Sequence, residues 1–444
     1  MCPFPPFVDR LRAVSDVRPI QRVLVADRGE VGVRLLRVLE ANGLEGIAVF
    51  SDADADAPWL DSAAYAVRIP PSPSGTLDPY MDPAGIVSAA LDSGADAVHP
   101  GLHGLARSAD FARTLHNVGL MWLGPRLDDL TWTVDRVLAR ARAREAGLEI
   151  LPSSPLLFDP DAVEAWCERF GFPMVIRPGR RLAMRSRVVH DRSSARRAVA
   201  EAAEVGVFAE RALPEARHVA VVVVGDGYGN AVHVGEHELS LLGPAGVRLR
   251  ECPSAGVDGA LRARIGQGAA DFLAASRYFG VGAVHFLIGG DGLAWFLDVE
   301  PGLPEGFALH DKVYGVDLVG AQVALASGEE LGWDQDDIAP DGCAAEVAIA
   351  LRRRGRATRL EFADPACVDT AVSVGQRVDP ARYPILARVR VSAPTRNAAL
   401  VRLRANLEGA VVEGVETDLA ACVELLADLA VWEGRTARRI TDRR

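Results

Sequence analysis

Short apolar segments alternate with amphipathic segments over the first quarter of this chain. The expected elements are, in order, strand 21–26, helix 31–42, strand 46–51, helix 83–93, strand 95–98, helix 108–118 and strand 120–123. Strands separated by helices pair in parallel, and a parallel sheet is covered by helices on both faces. A domain with a parallel sheet covered by helices is therefore predicted for residues 20–126, after a flexible lead-in at residues 1–19.

The periodicity changes after residue 126, where a central region is predicted over residues 127–335. It is expected to begin with a helical linker at 128–147 and a small α/β module at about 150–210, with helices 160–170 and 193–204 and strands 174–177, 186–190 and 207–210. Antiparallel strands are predicted for 216–330, with hairpin turns at 225–230 and 289–292 and one long helix near 258–277.

A third domain is predicted over residues 336–444, where strands are mixed with helices at 394–408 and 417–432. A chain of 444 residues is too long for a single core, which agrees with several domains. The expected fold class is therefore multidomain, α/β in its first domain and α+β in the rest.

The composition narrows the class of protein. The formal net charge of −11 disfavours nucleic acid and anionic membranes as partners. The longest apolar runs, such as Val219–Val224, are too short to span a bilayer, and the N-terminal residues lack the pattern of a secretory signal. The six cysteines are scattered and indicate neither a disulfide framework nor a structural zinc site. A cytoplasmic protein without a nucleic-acid or membrane partner is expected.

Seven short motifs in register carry a resemblance to a known family. They are Val25–Glu30, His99–Gly101, Leu123–Pro125, Gly171–Ile176, Arg217–Val219, Gly227–Asn230 and Gly315–Leu318. They are similar to the family motifs I-A-N-R-G-E, H-P-G, I-G-P, G-Y-P-V-I-I, R-H-V, G-x-G-N and G-V-D-L. From about residue 20 to residue 432 the chain resembles biotin carboxylase, the ATP-grasp subunit of biotin-dependent acyl-CoA carboxylases.

The resemblance implies a Rossmann-like N-terminal domain, central ATP-grasp domains whose lid is the module at about 150–210, and a mixed α/β C-terminal domain. It also implies a homodimer, or a heterodimer with a catalytic biotin carboxylase or other carboxylase subunits. A fold does not transfer an activity without its site residues, so the family's site positions are decisive.

The positions that the resemblance places around ATP are partly altered. Arg136 and Arg177 stand where the family has phosphate-side lysines, and arginine is longer and planar. Glu210, Arg211 and Leu213 correspond to the hinge that contacts adenine. His218 corresponds to a histidine near the ribose, with a structural histidine as the alternative. These positions admit ATP with Mg²⁺ as a candidate cofactor.

The glycine-rich phosphate loop is altered more strongly. Only one glycine, Gly179, remains in residues 177–186, and Leu182 and Met184 have side chains where the family has none. Either the segment holds phosphate by charge, or it is a basic hairpin tip without a nucleotide; the arginines concerned are Arg180, Arg181 and Arg185. The second interpretation is favoured, because bulky side chains prevent close approach of the backbone to phosphate.

His285, Asp298 and Glu300 stand at or beside the family's Mg²⁺ ligands. Imidazole is a poor ligand for Mg²⁺, but Asp298 and Glu300 share one face of a strand, which is a chelating geometry. Three interpretations stay open: a salt-bridged or hydrogen-bonded cluster without metal, weak Mg²⁺ binding, and a transition-metal site. The first is favoured.

The positions that carboxylate biotin in the family are replaced. Gly302 stands at the bicarbonate-binding arginine, Gly306 at the general base, and Ala348 at a second arginine. No catalytic residue is therefore assigned, and Glu305 reaches the base position only through a shift of register. The sequence has no M-K-M biotinylation motif, so covalent biotin is not expected.

These replacements predict a catalytically inactive relative that serves as a structural or regulatory subunit of a carboxylase assembly. Two alternatives stay open. One is an ATP-grasp enzyme, a ligase or carboxylase, that acts on a different acid. The other is a sensor that binds a nucleotide without turnover.

Overall fold

A computed structural model describes residues 19–72, 78–102, 104–181, 186–202, 204–213, 215–243 and 245–436. The lead-in predicted at residues 1–19 lies outside the described residues except for Pro19, and so do Leu182, Met184 and Arg185 of the loop. Within the described ranges, no helix has the length and apolar character needed to cross a bilayer.

The N-terminal domain is a five-stranded parallel sheet in the order β3-β2-β1-β4-β5. Its strands are β1 (Arg22–Val25), β2 (Glu45–Phe50), β3 (Tyr65–Arg68), β4 (Ala97–His99) and β5 (Met121–Trp122). Its helices are α1 (Gly29–Ala41), α2 (Pro83–Asp92) and α3 (Ala109–Asn117). The predicted sheet is confirmed. The sequence analysis missed β3, an edge strand whose side chains are mostly exposed and so show no apolar alternation.

The helical linker predicted over 128–147 is confirmed. Two helices occupy this segment, α4 (Leu127–Val134) and α5 (Arg136–Glu145). Asp135 between them has extended backbone, and its carboxylate accepts hydrogen bonds from the N–H groups of Val137 and Leu138, at 2.9 and 3.1 Å. This cap makes Arg136 the first residue of α5.

The small module predicted at about 150–210 is present with its own core. Helices α6 (Pro160–Phe170) and α7 (Arg192–Glu201) pack on the antiparallel sheet β7-β6-β8, formed by β6 (Met174–Pro178), β7 (Arg187–Val189) and β8 (Val207–Arg211). Val163, Cys167 and Ile176 are among its fully buried residues. The boundaries predicted here are correct to within three residues.

The central region contains the long strands β9 (Arg217–Asp226) and β10 (Ala231–Glu238), the short hairpin β11 (Leu241–Gly243) and β12 (Gly246–Cys252), and the strands β13 (Phe279–Ile288) and β14 (Ala294–Pro301). The sheet order is β10-β9-β13-β14, all antiparallel, and helix α8 (Gly259–Ala275) packs on it. Both predicted hairpin turns are confirmed. The long helix predicted near 258–277 is confirmed as α8, but the two shorter helices after β14, α9 (Phe307–Tyr314) and α10 (Leu318–Ala326), were not predicted.

The C-terminal sheet has the order β11-β12-β15-β20-β18, so the β11–β12 hairpin of the central region is part of it. The C-terminal strands are β15 (Cys343–Ala350), β16 (Gly355–Arg356), β17 (Arg359–Glu361), β18 (Val368–Thr370), β19 (Arg377–Val378), β20 (Ile385–Ala393) and β21 (Val411–Glu413). The helices are α11 (Arg396–Glu408), α12 (Leu419–Leu425) and α13 (Leu429–Trp432). The single helix predicted at 417–432 is wrong, since Asp428 caps a separate α13.

Buried ion pairs join the C-terminal sheet to the N-terminal domain. Arg388 of β20 contacts Glu30 of α1 at 3.1 Å. Asp369 of β18 contacts both Arg37 of α1 and Arg390 of β20, at 2.9 and 2.8 Å. These contacts fix the first and last domains against each other around the central region.

Candidate functional site

A cavity of about 240 Å³, called the cleft below, lies between the small module and the sheet β10-β9-β13-β14. It is lined by Arg136, Leu151, Val175, Arg177, Arg181, Ser186, Val188, Glu210, Arg211, Leu213, Ala216, His218, His285, Leu287, Leu297 and Asp298. The structure therefore brings together all six residues predicted to bind a cofactor and two of the three predicted to bind a metal. Their role in binding stays a prediction.

Three arginines converge on Asp298 at the centre of the cleft. Arg136 donates to the Asp298 Oδ2 atom from Nε and Nη2, at 3.2 and 3.1 Å. Arg177 lies 3.5 Å and Arg181 3.9 Å from the same oxygen. Burial opposes ionisation of Asp298, but Arg181, Arg136 and Arg177 outweigh it and lower the pKa of this carboxyl to about 2.

Glu210 of β8, predicted as part of the adenine hinge, is also held by guanidinium groups. Its side chain is 3% exposed, contacts Arg140 of α5, and lies 3.3 Å from Arg177. Neither Arg140 nor its role was expected from the sequence. Because its carboxylate is occupied in this way, Glu210 stabilises the wall of the cleft, whereas Arg211 and Leu213 face the cavity beside it.

The three predicted metal ligands are adjacent in space. His285 of β13 is directly opposite Asp298 of β14 in the register. The His285 Nε2 atom lies 3.1 Å from the Glu300 Oε2 atom. Glu300 also contacts Arg107, and Arg181 lies 3.5 Å from its Oε2 atom. The geometry is that of the salt-bridged cluster that the sequence analysis favoured.

This donor set does not fit Mg²⁺. Magnesium requires oxygen ligands in octahedral geometry, whereas the oxygens of Asp298 and Glu300 already accept hydrogen bonds from guanidinium groups. The Arg107 and Arg181 guanidinium groups and the His285 hydrogen bond overcome burial and hold the pKa of Glu300 well below its usual range. In the part of the chain that is described, no group of three His, Cys, Asp or Glu side chains is arranged to hold a metal ion.

A hydrogen-bonded pair of histidines lies at the edge of the cleft. The His218 Nε2 atom is 3.0 Å from the His285 Nδ1 atom. If His285 donates from Nε2 to Glu300, its Nδ1 atom accepts from His218, so two neutral imidazoles satisfy the chain of hydrogen bonds. His218 thus has a structural partner and also faces the cavity. Both a structural role and a contact with the ribose therefore stay predictions for this residue.

The matches with known proteins agree with this architecture. Residues 19–130 match the biotin carboxylase N-terminal domain, and residues 135–333 match the ATP-binding domain of the carbamoyl-phosphate synthase L chain. The biotin carboxylase of Pseudomonas aeruginosa is 30% identical over 435 residues, which cover 94% of this chain and 96% of that protein. This chain belongs to the biotin carboxylase family.

Further relatives extend the match. The biotin-dependent acyl-coenzyme A carboxylase alpha3 subunit of Mycobacterium leprae is 32% identical over 421 residues, covering 90% of this chain and 69% of that one. The biotin carboxylase domain of the Hydrogenobacter thermophilus 2-oxoglutarate carboxylase, crystallised as a dimer with MgADP, ADP and bicarbonate, has a TM-score of 0.88 at 24% identity, over 95% of this chain and 97% of that one. The Campylobacter jejuni biotin carboxylase–β-γ-ATP complex has a TM-score of 0.87 at 23% identity, over 93% and 96% of the two chains. These two structures establish the fold.

Gly306, predicted to stand at the family's general-base position, has no room for a side chain. A β-carbon at Gly306 would lie 2.8 Å from the imidazole of His237, which is fully buried. His237 is fixed in turn by His310, whose Nε2 atom lies 2.8 Å from the His237 Nδ1 atom. His310 donates from Nδ1 to the Val234 carbonyl at 2.6 Å. Sequence patterns gave no sign of this pair, whose members are 73 residues apart.

Ala348, predicted to correspond to a second arginine of the family, lies in a small pocket. Gly243, Ala245, Gly246, Val247, Arg248, Ala350, Ile385 and Asp418 also line this space of about 10 Å³. A space of this size holds at most about one water molecule. We call it the Ala348 pocket below.

Glu305 does not act as a substitute base in this geometry. Its carboxylate contacts Arg250 and lies 3.6 Å from Arg388. Both arginines also contact Glu346, at 3.1 and 3.2 Å. Glu305 is thus part of the ion network that joins the central region to the C-terminal sheet. Gly302 has a positive φ of 84°, and its N–H donates to the Tyr278 hydroxyl at 3.1 Å.

Proposed function

We propose that this member of the biotin carboxylase family does not carboxylate biotin and serves as a structural or regulatory subunit of a biotin-dependent acyl-CoA carboxylase assembly. One observation carries the proposal. The carboxylates at the metal positions are neutralised by arginines, while the positions of the bicarbonate arginine and the base are glycines. Loss of a single oxyanion-stabilising group typically lowers a rate by about 10²–10³.

The names of the relatives support an assembly role. The Mycobacterium leprae relative is named a carboxylase alpha3 subunit. A relative from Oryza sativa, 30% identical over 437 residues, is named methylcrotonoyl-CoA carboxylase subunit alpha, and this chain covers 59% of its length. We propose that this protein forms a homodimer, or a heterodimer with a catalytic biotin carboxylase, through the surfaces of the retained fold.

The catalytic part of the proposal is tested with purified protein. ATP, Mg²⁺, bicarbonate and free biotin are supplied, and ADP release and labelled carboxybiotin are measured beside an active biotin carboxylase. We expect no ADP release that depends on biotin and bicarbonate. Turnover at even a hundredth of the rate of the active enzyme would sink the proposal.

The assembly part is tested by co-expression with the catalytic carboxylase subunits of the same organism. Mass photometry is expected to show a complex that contains this protein in fixed stoichiometry. If this protein remains separate from every carboxylase subunit, the subunit role is wrong.

A second candidate function is nucleotide binding without turnover, as in a sensor. The observation in its favour is the cleft, which keeps about 240 Å³ of space beside Arg211, Leu213 and His218. Calorimetric titration with a non-hydrolysable ATP analogue tests it. Binding without phosphate release supports a sensor, absence of binding at millimolar nucleotide leaves only the scaffold, and phosphate release on addition of a particular acid would indicate an altered ATP-grasp enzyme.

A further inference from the structure

The cleft has an excess of positive charge. Four guanidinium groups but two carboxylates are found among its described lining residues, namely Arg136, Arg177, Arg181 and Arg211 with Glu210 and Asp298. The two carboxylates are engaged within the protein, Glu210 by Arg140 and Arg177, and Asp298 by three arginines. Buried charge without compensation is costly, so this arrangement favours an anion in the cavity.

Arg181 takes the place that a bridging cation would have. Its guanidinium group lies 3.9 Å from Asp298 and 3.5 Å from Glu300, and it also donates to the Val299 carbonyl between them. One side chain therefore contacts three consecutive residues of β14. A divalent cation between the two carboxylates would lie against this guanidinium group and be repelled by it.

The electrostatics of Arg136 agree with an excess of positive charge. Burial lowers the pKa of Arg136, and the nearby Arg177 and Arg181 lower it further, against the opposing effect of Asp298. An anion bound among these three arginines would relieve their mutual repulsion. The planar guanidinium fork suits phosphate oxygens.

The cleft also has an apolar part. Six aliphatic side chains line it, namely Leu151, Val175, Val188, Leu213, Leu287 and Leu297. Inorganic phosphate alone would leave this surface without a partner. The combination suits a small organic molecule that carries phosphate at one end.

We propose that the cleft binds a phosphorylated small molecule, such as a nucleoside diphosphate, without a metal ion, with Arg181 in place of the divalent cation. The choice of a nucleotide rests on the nucleotide-binding function proposed above, whereas the metal-free mode rests on the contacts of Arg181. The metal-free mode predicts the direction in which Mg²⁺ changes the affinity for a nucleotide. Mg²⁺ reduces the negative charge of a nucleotide, so it weakens binding here, whereas in a magnesium-dependent site it strengthens binding.

The first experiment is calorimetric titration of the full chain with ADP, in EDTA and in excess Mg²⁺. We expect measurable binding in EDTA and binding weaker by roughly 3- to 10-fold in Mg²⁺, since one charge contact changes by about 1 kcal/mol. Tighter binding in Mg²⁺ would overturn the metal-free mode and leave nucleotide binding intact.

The variant Arg181→Gln removes the guanidinium group between the two carboxylates, while Asp298 keeps its contacts with Arg136 and Arg177, and Glu300 keeps those with Arg107 and His285. We expect metal-free ADP binding to fall by roughly tenfold or more, and Mg²⁺ to weaken the residual binding less than it does in the wild type. The matched control is Arg192→Gln on the exposed face of the small module, where Arg192 is 66% exposed and contacts Glu164 and Glu168. Equal binding by both variants would overturn the role of Arg181.

Two measurements keep the outcomes separable. If ADP does not bind in either buffer, titration with pyrophosphate in EDTA tests the anion site alone. Pyrophosphate binding that is lost in Arg181→Gln supports the anion site, and absence of pyrophosphate binding overturns it. If Arg181→Gln does not fold, the wild-type protein is titrated with Mn²⁺ and the bound metal is measured by electron paramagnetic resonance. We expect only the signal of unbound Mn²⁺. A stoichiometric Mn²⁺ site in the wild type would refute the proposal.

Discussion

The cleft and the Ala348 pocket differ in both charge and space. In the cleft, charged side chains are paired with one another beside about 240 Å³ of space. The Ala348 pocket is lined mainly by glycine, alanine and aliphatic side chains, with Arg248 and Asp418, and has about 10 Å³ of space. Long paired side chains can line an open cavity, whereas small side chains let the surrounding groups pack closely.

The largest effect is expected in the cleft, from Asp298→Ala. This change leaves Arg136, Arg177 and Arg181 without their shared carboxylate, and an uncompensated buried charge costs about 3–5 kcal/mol of unfolding free energy. Urea denaturation measures the loss. The control is Asp161→Ala, in an exposed pair with Arg196, for which less than about 1 kcal/mol is expected. Similar losses for both variants would contradict the idea that the cleft depends on charge pairing.

A smaller effect is expected in the Ala348 pocket, from Ala348→Arg. The variant places an arginine at the position predicted to correspond to one in the family, in a space of about 10 Å³, so we expect a loss of about 1–3 kcal/mol of unfolding free energy by overpacking. No carboxylation of biotin is expected. Ala348→Ser is the small-volume control. An unchanged melting temperature for Ala348→Arg would show that the pocket opens readily and would remove the contrast between the two regions.

Lowering the pH tests whether the charge of Asp298 stabilises the cleft, because the pKa of this paired carboxyl is low. The pKa of Asp298 is about 2 in the folded protein, below its ordinary value of 3.8. Its contribution to stability is therefore complete above about pH 4 and is lost as the pH falls towards 2. The difference in melting temperature between wild type and Asp298→Ala is expected to shrink over this range. A difference that stays constant from pH 6 to pH 2.5 would contradict ionisation of Asp298 as its source.

A separate effect is expected outside both regions, at Asp311 of α9. Burial raises the pKa of this carboxyl to about 7, although Arg34 lies 3.7 Å away. Since the pKa is raised on folding, ionisation costs stability as the pH rises from about 4 to 7. Asp311→Asn removes this dependence. The change in melting temperature from pH 5 to pH 8 should therefore be more favourable in the variant than in the wild type, by a few degrees. An identical pH profile in both proteins would count against a buried neutral Asp311.

The sequence was most informative where its pattern is local. The parallel sheet, the small module and both hairpins were predicted from periodicity and turn residues within short segments. The linker at 128–147 and the helix predicted at 417–432 each consist of two helices, because Asp135 and Asp428 cap new helices. An aspartate inside a helical pattern is also compatible with an uninterrupted helix, so the break was not evident from the sequence.

The residues of the site were found by resemblance, but their partners were not. Nothing in the sequence indicated that Arg107 contacts Glu300, which is 193 residues away. The contact between Arg140 and Glu210, and the histidine pair beside Gly306, were equally hidden. Such pairs depend on how strands from different parts of the chain come together, which no local pattern encodes.

The sequence alone thus indicated the family and the order of the elements, and it predicted that Gly302, Gly306 and Ala348 replace the carboxylation residues, which stays a prediction. These follow from residue identity at aligned positions, which needs no coordinates. Only the tertiary structure decided what the replacements did to the space and the charge. It placed His237 against Gly306 and Arg181 between Asp298 and Glu300. Packing volume and electrostatic pairing are properties of neighbours in space, and these neighbours are distant along the chain.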